Sequence, residues 1–197
     1  MTSSNISLKN VLLEFSTQYI VAFEKVHHHL PVIEKDEAWI SPCEQTKSDE
    51  ESYWQPKPLT EFLLEETIAS ELNFENVESA LKIRLHPDIK TYFTTVFSET
   101  LDANCSEGEL SLLFAWNMDD FARLQENIIG HVMMKQRLKQ PITVFFGVTD
   151  EEDIIISLDN ETGEVWAEMV GCKGHKKLSD NLATFIQQLQ PLIKVAK

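Results

Sequence analysis

The sequence predicts one α+β domain, a mainly antiparallel sheet packed with helices. Two observations lead there. Between Leu101 and Glu168, apolar runs rich in β-branched residues are joined by tight turns, apart from one intervening helix. Short turns join antiparallel neighbours, whereas parallel strands need long crossovers. Helical periodicities flank and interrupt these runs near residues 8–26, 117–139 and 179–189. The 197 residues suit a single domain, 1–197, with a full core.

Leu8, Val11, Leu12, Phe15, Tyr19, Ala22, Phe23 and Val26 recur at helical spacing and predict an amphipathic helix of about five turns, which Pro31 ends. His27, His28 and His29 follow directly. Adjacent helical residues point about 100° apart and do not converge on a metal, so they read as a solvated helix end. Residues 34–78 hold thirteen acids against three bases. Within them 34–52 reads as an acidic flexible loop, mobile around Gln45–Ser52. Tyr53-Trp54-Gln55-Pro56 breaks that polarity and is either a core plug or a contact surface. A short helix is expected over Phe62–Leu72. Another is expected from Asn76 as cap, carrying Val77, Ala80 and Leu81. Pro87 opens a helix with Ile89, Tyr92, Phe93, Val96 and Phe97.

Leu101–Asn104 and Leu110–Trp116 predict strands around a Ser106-Glu107-Gly108 turn. Asn117 then caps the organising helix. Asp119 and Asp120 occupy its first turn, and Lys135, Arg137 and Lys139 crowd its end before Pro141. Phe121, Leu124, Ile128 and Val132 share its buried face. Gly130 costs about 1 kcal/mol there relative to Ala, which close packing or a kink would explain. Ile142–Val148, Ile154–Leu158 and Glu164–Glu168 are strands. They are joined by the acidic tip Asp150–Asp153 and by a hairpin turn in which Gly163 takes positive φ. Gly171 and Gly174 mark a lysine-rich loop, and Ser179 caps a last helix that Pro191 kinks or ends.

The formal charge is −15. Such a surface is repelled by nucleic-acid phosphates and anionic lipid headgroups, and from composition alone it either suits cationic partners or only maintains solubility. No apolar run reaches the roughly 18 residues of a membrane span, and no signal peptide opens the chain. The expectation is a soluble protein that reaches a membrane only through a partner. Three dispersed cysteines, Cys43, Cys105 and Cys172, give neither a disulfide framework nor a zinc motif. GxSxG, HExxH, P-loop and dinucleotide fingerprints are absent. Glu126 and His131 diverge on a helix, as do Asp119 and Asp120. The reading is therefore a binding protein, with no catalytic residue, metal or cofactor.

Several segments carry a resemblance. They are Tyr53-Trp54-Gln55-Pro56, His86-Pro87, Tyr92-Phe93-Thr94-Thr95, Trp116, Asp119-Asp120-Phe121, Leu124 to His131, Lys135-x-Arg137-Leu138-Lys139-x-Pro141 and Gly163-Glu164-Val165. In order, and over nearly the whole chain, they resemble the Syd family of SecY-interacting proteins. That family is similar in turn to the SUKH superfamily of α+β proteins, and Phe62–Leu72 is longer here than is usual in it. The resemblance implies a monomer, cytoplasmic and peripheral on the cytoplasmic side of the bacterial inner membrane. Such a protein binds basic cytoplasmic loops of SecY through an acidic groove and monitors or restrains translocase assembly. The SUKH likeness implies as the alternative an immunity protein that neutralises a toxin. On the resemblance and the helix pattern together, the groove is expected to use carboxylates of Glu78, Asp119, Asp120 and Glu126. Tyr53, Trp54, Gln125, Asn127 and His131 are expected to shape it.

Overall fold

The computed structural model describes residues 7–59, 71–151 and 153–194. It is α+β, with a seven-stranded antiparallel sheet as its centre. Helix α1 (Leu8–His27) opens at Ser7, whose hydroxyl accepts from the Asn10 N–H, and closes at His28, which adopts the left-handed conformation. Its buried stripe is Leu8, Val11, Leu12, Phe15, Tyr19 and Ile20, while Val26 lies exposed. His28 and His29 are exposed, as expected of a solvated helix end, while the rings of His27 and His29 lie beside Phe23 and Tyr53.

Where the charge pattern suggests a loop over 34–52, the chain forms a small antiparallel sheet. Its strands are β1 (Val32–Glu34), β2 (Glu44–Thr46) and β3 (Glu51–Trp54), with β3 in the middle. Inter-strand pairing takes in Glu34, Glu44 and Glu51, while residues 35–43 and 47–50 remain connections, and periodicity cannot reveal strands this short. Strand β4 (Lys57–Pro58) pairs with β5 (Val96–Phe97). The helix expected over Phe62–Leu72 lies outside the described residues as far as residue 70, as does Glu152 of the acidic tip.

Helix α2 (Glu75–Leu81) begins before Asn76, so Asn76 is not its cap. Asn73 accepts from the Glu75 N–H instead, and the Asn76 amide is spent on Gln125. Val77 and Leu81 are buried and Ala80 is exposed. Helix α3 (Pro87–Phe93) starts on Pro87 as expected, and His86 caps it through Nδ1. It ends at Phe93 because Val96 and Phe97 pair with β4.

The main sheet starts with the hairpin β6 (Leu101–Cys105) and β7 (Gly108–Leu112). Residues 113–116 leave the ladder, retaining one bridge between Phe97 and Ala115. Helix α4 (Met118–Arg137) follows, capped by Asn117, which accepts from the Asp120 N–H at 2.9 Å. Strands β8 (Thr143–Val148), β9 (Ile154–Asp159), β10 (Val165–Met169) and β11 (Gly174–Ser179) complete a meander. The lysine-rich run after Gly174 is thus an edge strand and not a loop, and lysines on an edge discourage pairing with another chain. Helix α5 (Leu182–Gln188) is capped by Asn181, because Ser179 still belongs to β11. Strand β12 (Gln190–Pro191) returns to pair with β6.

Cross-strand register places Val144, Leu158 and Val165 in one row, with Phe145, Ser157 and Trp166 on the opposite face. Phe146 carries the contacts to α3 and α5 through Tyr92 and Phe185. An aromatic chain continues from Tyr92 through Phe93 and Phe74 to Phe121 on α4. The sheet curls far enough for Lys176 on β11 to pair with Glu107 in the β6–β7 turn. Gly163 has φ +76°, and a Cβ there would come within 2.8 Å of His86. Asn160 clamps the same turn to the backbone of Arg84 and His86.

Candidate functional site

Helix α4 organises the site. Phe121, Ile128 and Val132 are fully buried as the periodicity predicts, and Leu124 is half-buried at the edge of that face. The opposite face presents Asp119, Arg123, Glu126, Asn127 and Gly130 to solvent. Gly130 meets neither a strand nor a neighbouring helix. A Cβ added there would have nothing within 4 Å, so close packing does not account for this glycine.

The nine expected site residues divide into two groups. Asp119, Glu126 and Asn127 are exposed on the outer stripe of α4, and neither carboxylate has a cationic partner among the described residues. The others hold the scaffold. Asp120 accepts from the Trp116 N–H at 2.9 Å, closing the start of α4. Gln125 is buried, accepting from Asn76 and donating to the Asn73 carbonyl, which docks α2 against α4. Trp54 is a core plug, edge-on to Trp116 at 6.1 Å. Tyr53 is half-buried on β3, with the Lys47 ammonium 5.6 Å above its ring.

Glu78 is buried, and its oxygens are occupied by Lys90 at 2.9 Å, the Leu85 N–H at 2.8 Å and Arg84 at 3.1 Å. Burial by itself would raise this carboxyl. The hydrogen bonds from Lys90, Leu85 and Arg84 outweigh it and hold the group below the usual carboxylate range. It closes the α2–α3 connection.

His131 lies inside, edge-on to Phe145, with Nε2 3.2 Å from the Thr143 hydroxyl. Burial first, and the Lys135 charge second, push it down to about 4 against the pull of Thr143. Next to it lies a feature the sequence did not suggest. Lys135, one of the cations that crowd the helix end, is fully buried and donates to Glu168 and to the Cys172 carbonyl. Thr143 donates to the other Glu168 oxygen at 2.8 Å.

A second unanticipated feature borders the exposed stripe. The connection from β1 to β2 crosses the N-terminus of α4. Asn117 donates to the Ile40 carbonyl at 3.0 Å, Ser41 donates to the Trp116 carbonyl at 2.5 Å, and the Arg123 guanidinium sits 4.0 Å over the Trp39 ring. An adjacent Trp-Ile pair inside an acidic stretch is the signal that could have revealed it.

On the far side, the curl of the sheet encloses a hollow of about 220 Å³, with Leu110, Ile156, Ala167 and Leu178 in its lining and Glu107, Glu109, Asp150 and Glu151 among its acids. Among the described residues no group of three or more His, Cys, Asp or Glu could hold a metal ion. Cys43 is an inert core thiol, pushed up to about 11 chiefly by burial. No helix of the described residues is long and apolar enough to cross a membrane.

Comparison with known proteins gives a consistent answer. The family model described as Syd protein (SUKH-2) matches residues 9–191. A protein named Syd from Colwellia psychrerythraea is 58% identical over 96% of this chain and 95% of its own. Proteins of the same name from Pseudoalteromonas atlantica and Escherichia fergusonii are 41% and 38% identical. They cover 97% and 92% of this chain, and 98% and 96% of their own.

Proposed function

The chain belongs to the Syd family, and from that premise we propose that it binds basic cytoplasmic loops of the SecY translocation channel. The contact is peripheral, on the cytoplasmic side of the inner membrane, and it monitors or restrains translocase assembly. The observation that carries this reading is the exposed pair Asp119 and Glu126 on α4, unpartnered among the described residues and two helical turns apart, or about 10 Å. Cytoplasmic loops of membrane proteins are rich in Lys and Arg. Carboxylates that are not already neutralised within the fold are the ones left to meet them.

In this reading the acids have two tasks. Glu34, Asp36, Glu37, Asp49 and Glu50 are exposed around the small sheet and supply long-range attraction. Asp119 and Glu126 make the contact, with Asn127 beside them. Asp120, Gln125, Glu78 and Trp54 act through position, fixing α4 and its neighbours, and His131 fixes the inner side of the helix. Surface plasmon resonance with immobilised SecY-loop peptides at 0.1 M and 1 M salt tests the reading. The screening length falls from about 10 Å to about 3 Å between those conditions, so binding should weaken steeply. Equal affinities at both salts, or no binding to the peptides, would refute it.

A further inference from the structure

Resting on the reading of α4 as a surface for basic segments, we infer that Trp39 and Ile40 form an apolar anchor at one end of it. The anchor selects a partner segment with a large apolar side chain beside its basic residues. Ile40 is 68% exposed, more than any other large apolar side chain among the described residues. Isolated exposed apolar residues are ordinary, but this one is held in place and has an aromatic neighbour.

Four contacts fix the segment around it, one of them on its own carbonyl. Asn117 holds the Ile40 carbonyl, Ser41 holds the Trp116 carbonyl, the Ser41 N–H donates to Glu44 at 2.9 Å, and the Trp39 N–H donates to the Asp36 carbonyl at 2.9 Å. An apolar side chain on a backbone ordered in advance loses little entropy on binding.

The corner is continuous with the acidic stripe. Asn117, which holds Ile40, is the cap of α4, and Asp119 is two residues further on. Arg123, which stacks on Trp39, lies one turn from both Asp119 and Glu126. Its positive charge also decides what can sit there. A partner's Lys or Arg is attracted to Asp119 and Glu126 but repelled at Arg123, so the group beside Ile40 is not one of its cations, and the apolar surface of Ile40 favours an apolar one. Trp is among the residues that most often carry binding energy at an interface, with surrounding contacts that exclude water.

The test uses the full chain and two synthetic peptides. One is a basic SecY cytoplasmic loop with an apolar residue next to its Lys/Arg cluster, and the other is the same peptide with that residue replaced by Ser. Ile40→Ser should weaken binding of the first peptide about tenfold or more, through faster dissociation, with the salt dependence and melting temperature of the wild type. Ile40→Leu should bind like wild type. The Ser-substituted peptide should bind wild type weakly and lose nothing further on Ile40→Ser.

If Ile40→Ser binds the first peptide within twofold of wild type, or wild type does not distinguish the peptides, the anchor is overturned while the acidic surface stands. If Ile40→Ser melts at a lower temperature, the side chain is packing and the anchor is again overturned. If wild type binds neither peptide, both the anchor and the reading beneath it fall.

Discussion

Lys135 and Glu168 meet inside the protein, the ammonium 2.9 Å from the carboxylate and neither side chain exposed. With Thr143 on the second oxygen and the Cys172 carbonyl on the ammonium, the pair joins α4 to β8, β10 and the turn after β10. Removing one partner leaves an uncompensated buried charge. Lys135→Met should therefore lower unfolding free energy by about 3–5 kcal/mol. Lys135→Met/Glu168→Gln should lose less than the two single replacements added together. Urea denaturation of the three variants checks both statements.

His131 predicts a pH dependence. Its folded value is about 4 against an ordinary 6.5, so between those limits the unfolded chain binds a proton that the folded chain excludes. Stability from this group is complete above pH 6.5 and is lost as pH falls towards 4, by about 3 kcal/mol in all. The lowered carboxyl of Glu78 adds loss of the same sign in acid, and the raised carboxyl of Glu99 opposes it. The contribution of His131 is therefore the difference in slope between wild type and His131→Gln. Parallel curves for the two proteins across pH 4–6.5 would contradict the assignment.

Glu126→Lys should abolish binding to basic SecY-loop peptides and leave the melting temperature unchanged, since Glu126 is exposed and supports no neighbour. Glu50→Lys, in the turn between β2 and β3, should slow association and spare dissociation. Kinetic traces with the rate effects exchanged between these variants would move the contact to the small sheet.

Glu78→Gln should do the opposite of Glu126→Lys. The carboxylate closes the α2–α3 connection, so its loss should lower stability by about 1–3 kcal/mol and leave the dissociation constant unchanged. A binding defect at full stability would put Glu78 in the contact.

Gly130→Ala should stabilise by about 0.5–1 kcal/mol, because Gly130 is helical and a methyl group meets nothing. A raised melting temperature checks it. If it also weakens peptide binding, Gly130 marks where the partner's backbone approaches.

The fold was legible wherever local chemistry agreed with the final packing. The α4 cap and its buried face, the β6–β7 hairpin and the Gly163 turn all follow from nearby residues. The errors arose where distant partners decide. Asn76 looks like a cap until Gln125 claims its amide, and Ser179 looks like one until β11 claims its backbone. The pairing of Lys135 is not visible from its neighbours because Glu168 is 33 residues away in sequence. The polar stripe on α4 was legible from the helical period. Sequence could not separate Asp119 and Glu126, which remain available, from Asp120 and Glu78, which the fold employs.

The N-terminal helix has a history that its final contacts imply. Its apolar stripe packs against α3, α5 and β12, elements that include the last part of the described chain to be synthesised. At about 5–20 residues per second, a ribosome takes on the order of ten seconds or more to reach α5 once α1 is complete. Through that interval Leu12 and Phe15 lack part of their final covering. Nascent chains arrested before Leu182 should therefore remain cleavable within α1, and protection should arrive when α5 and β12 emerge.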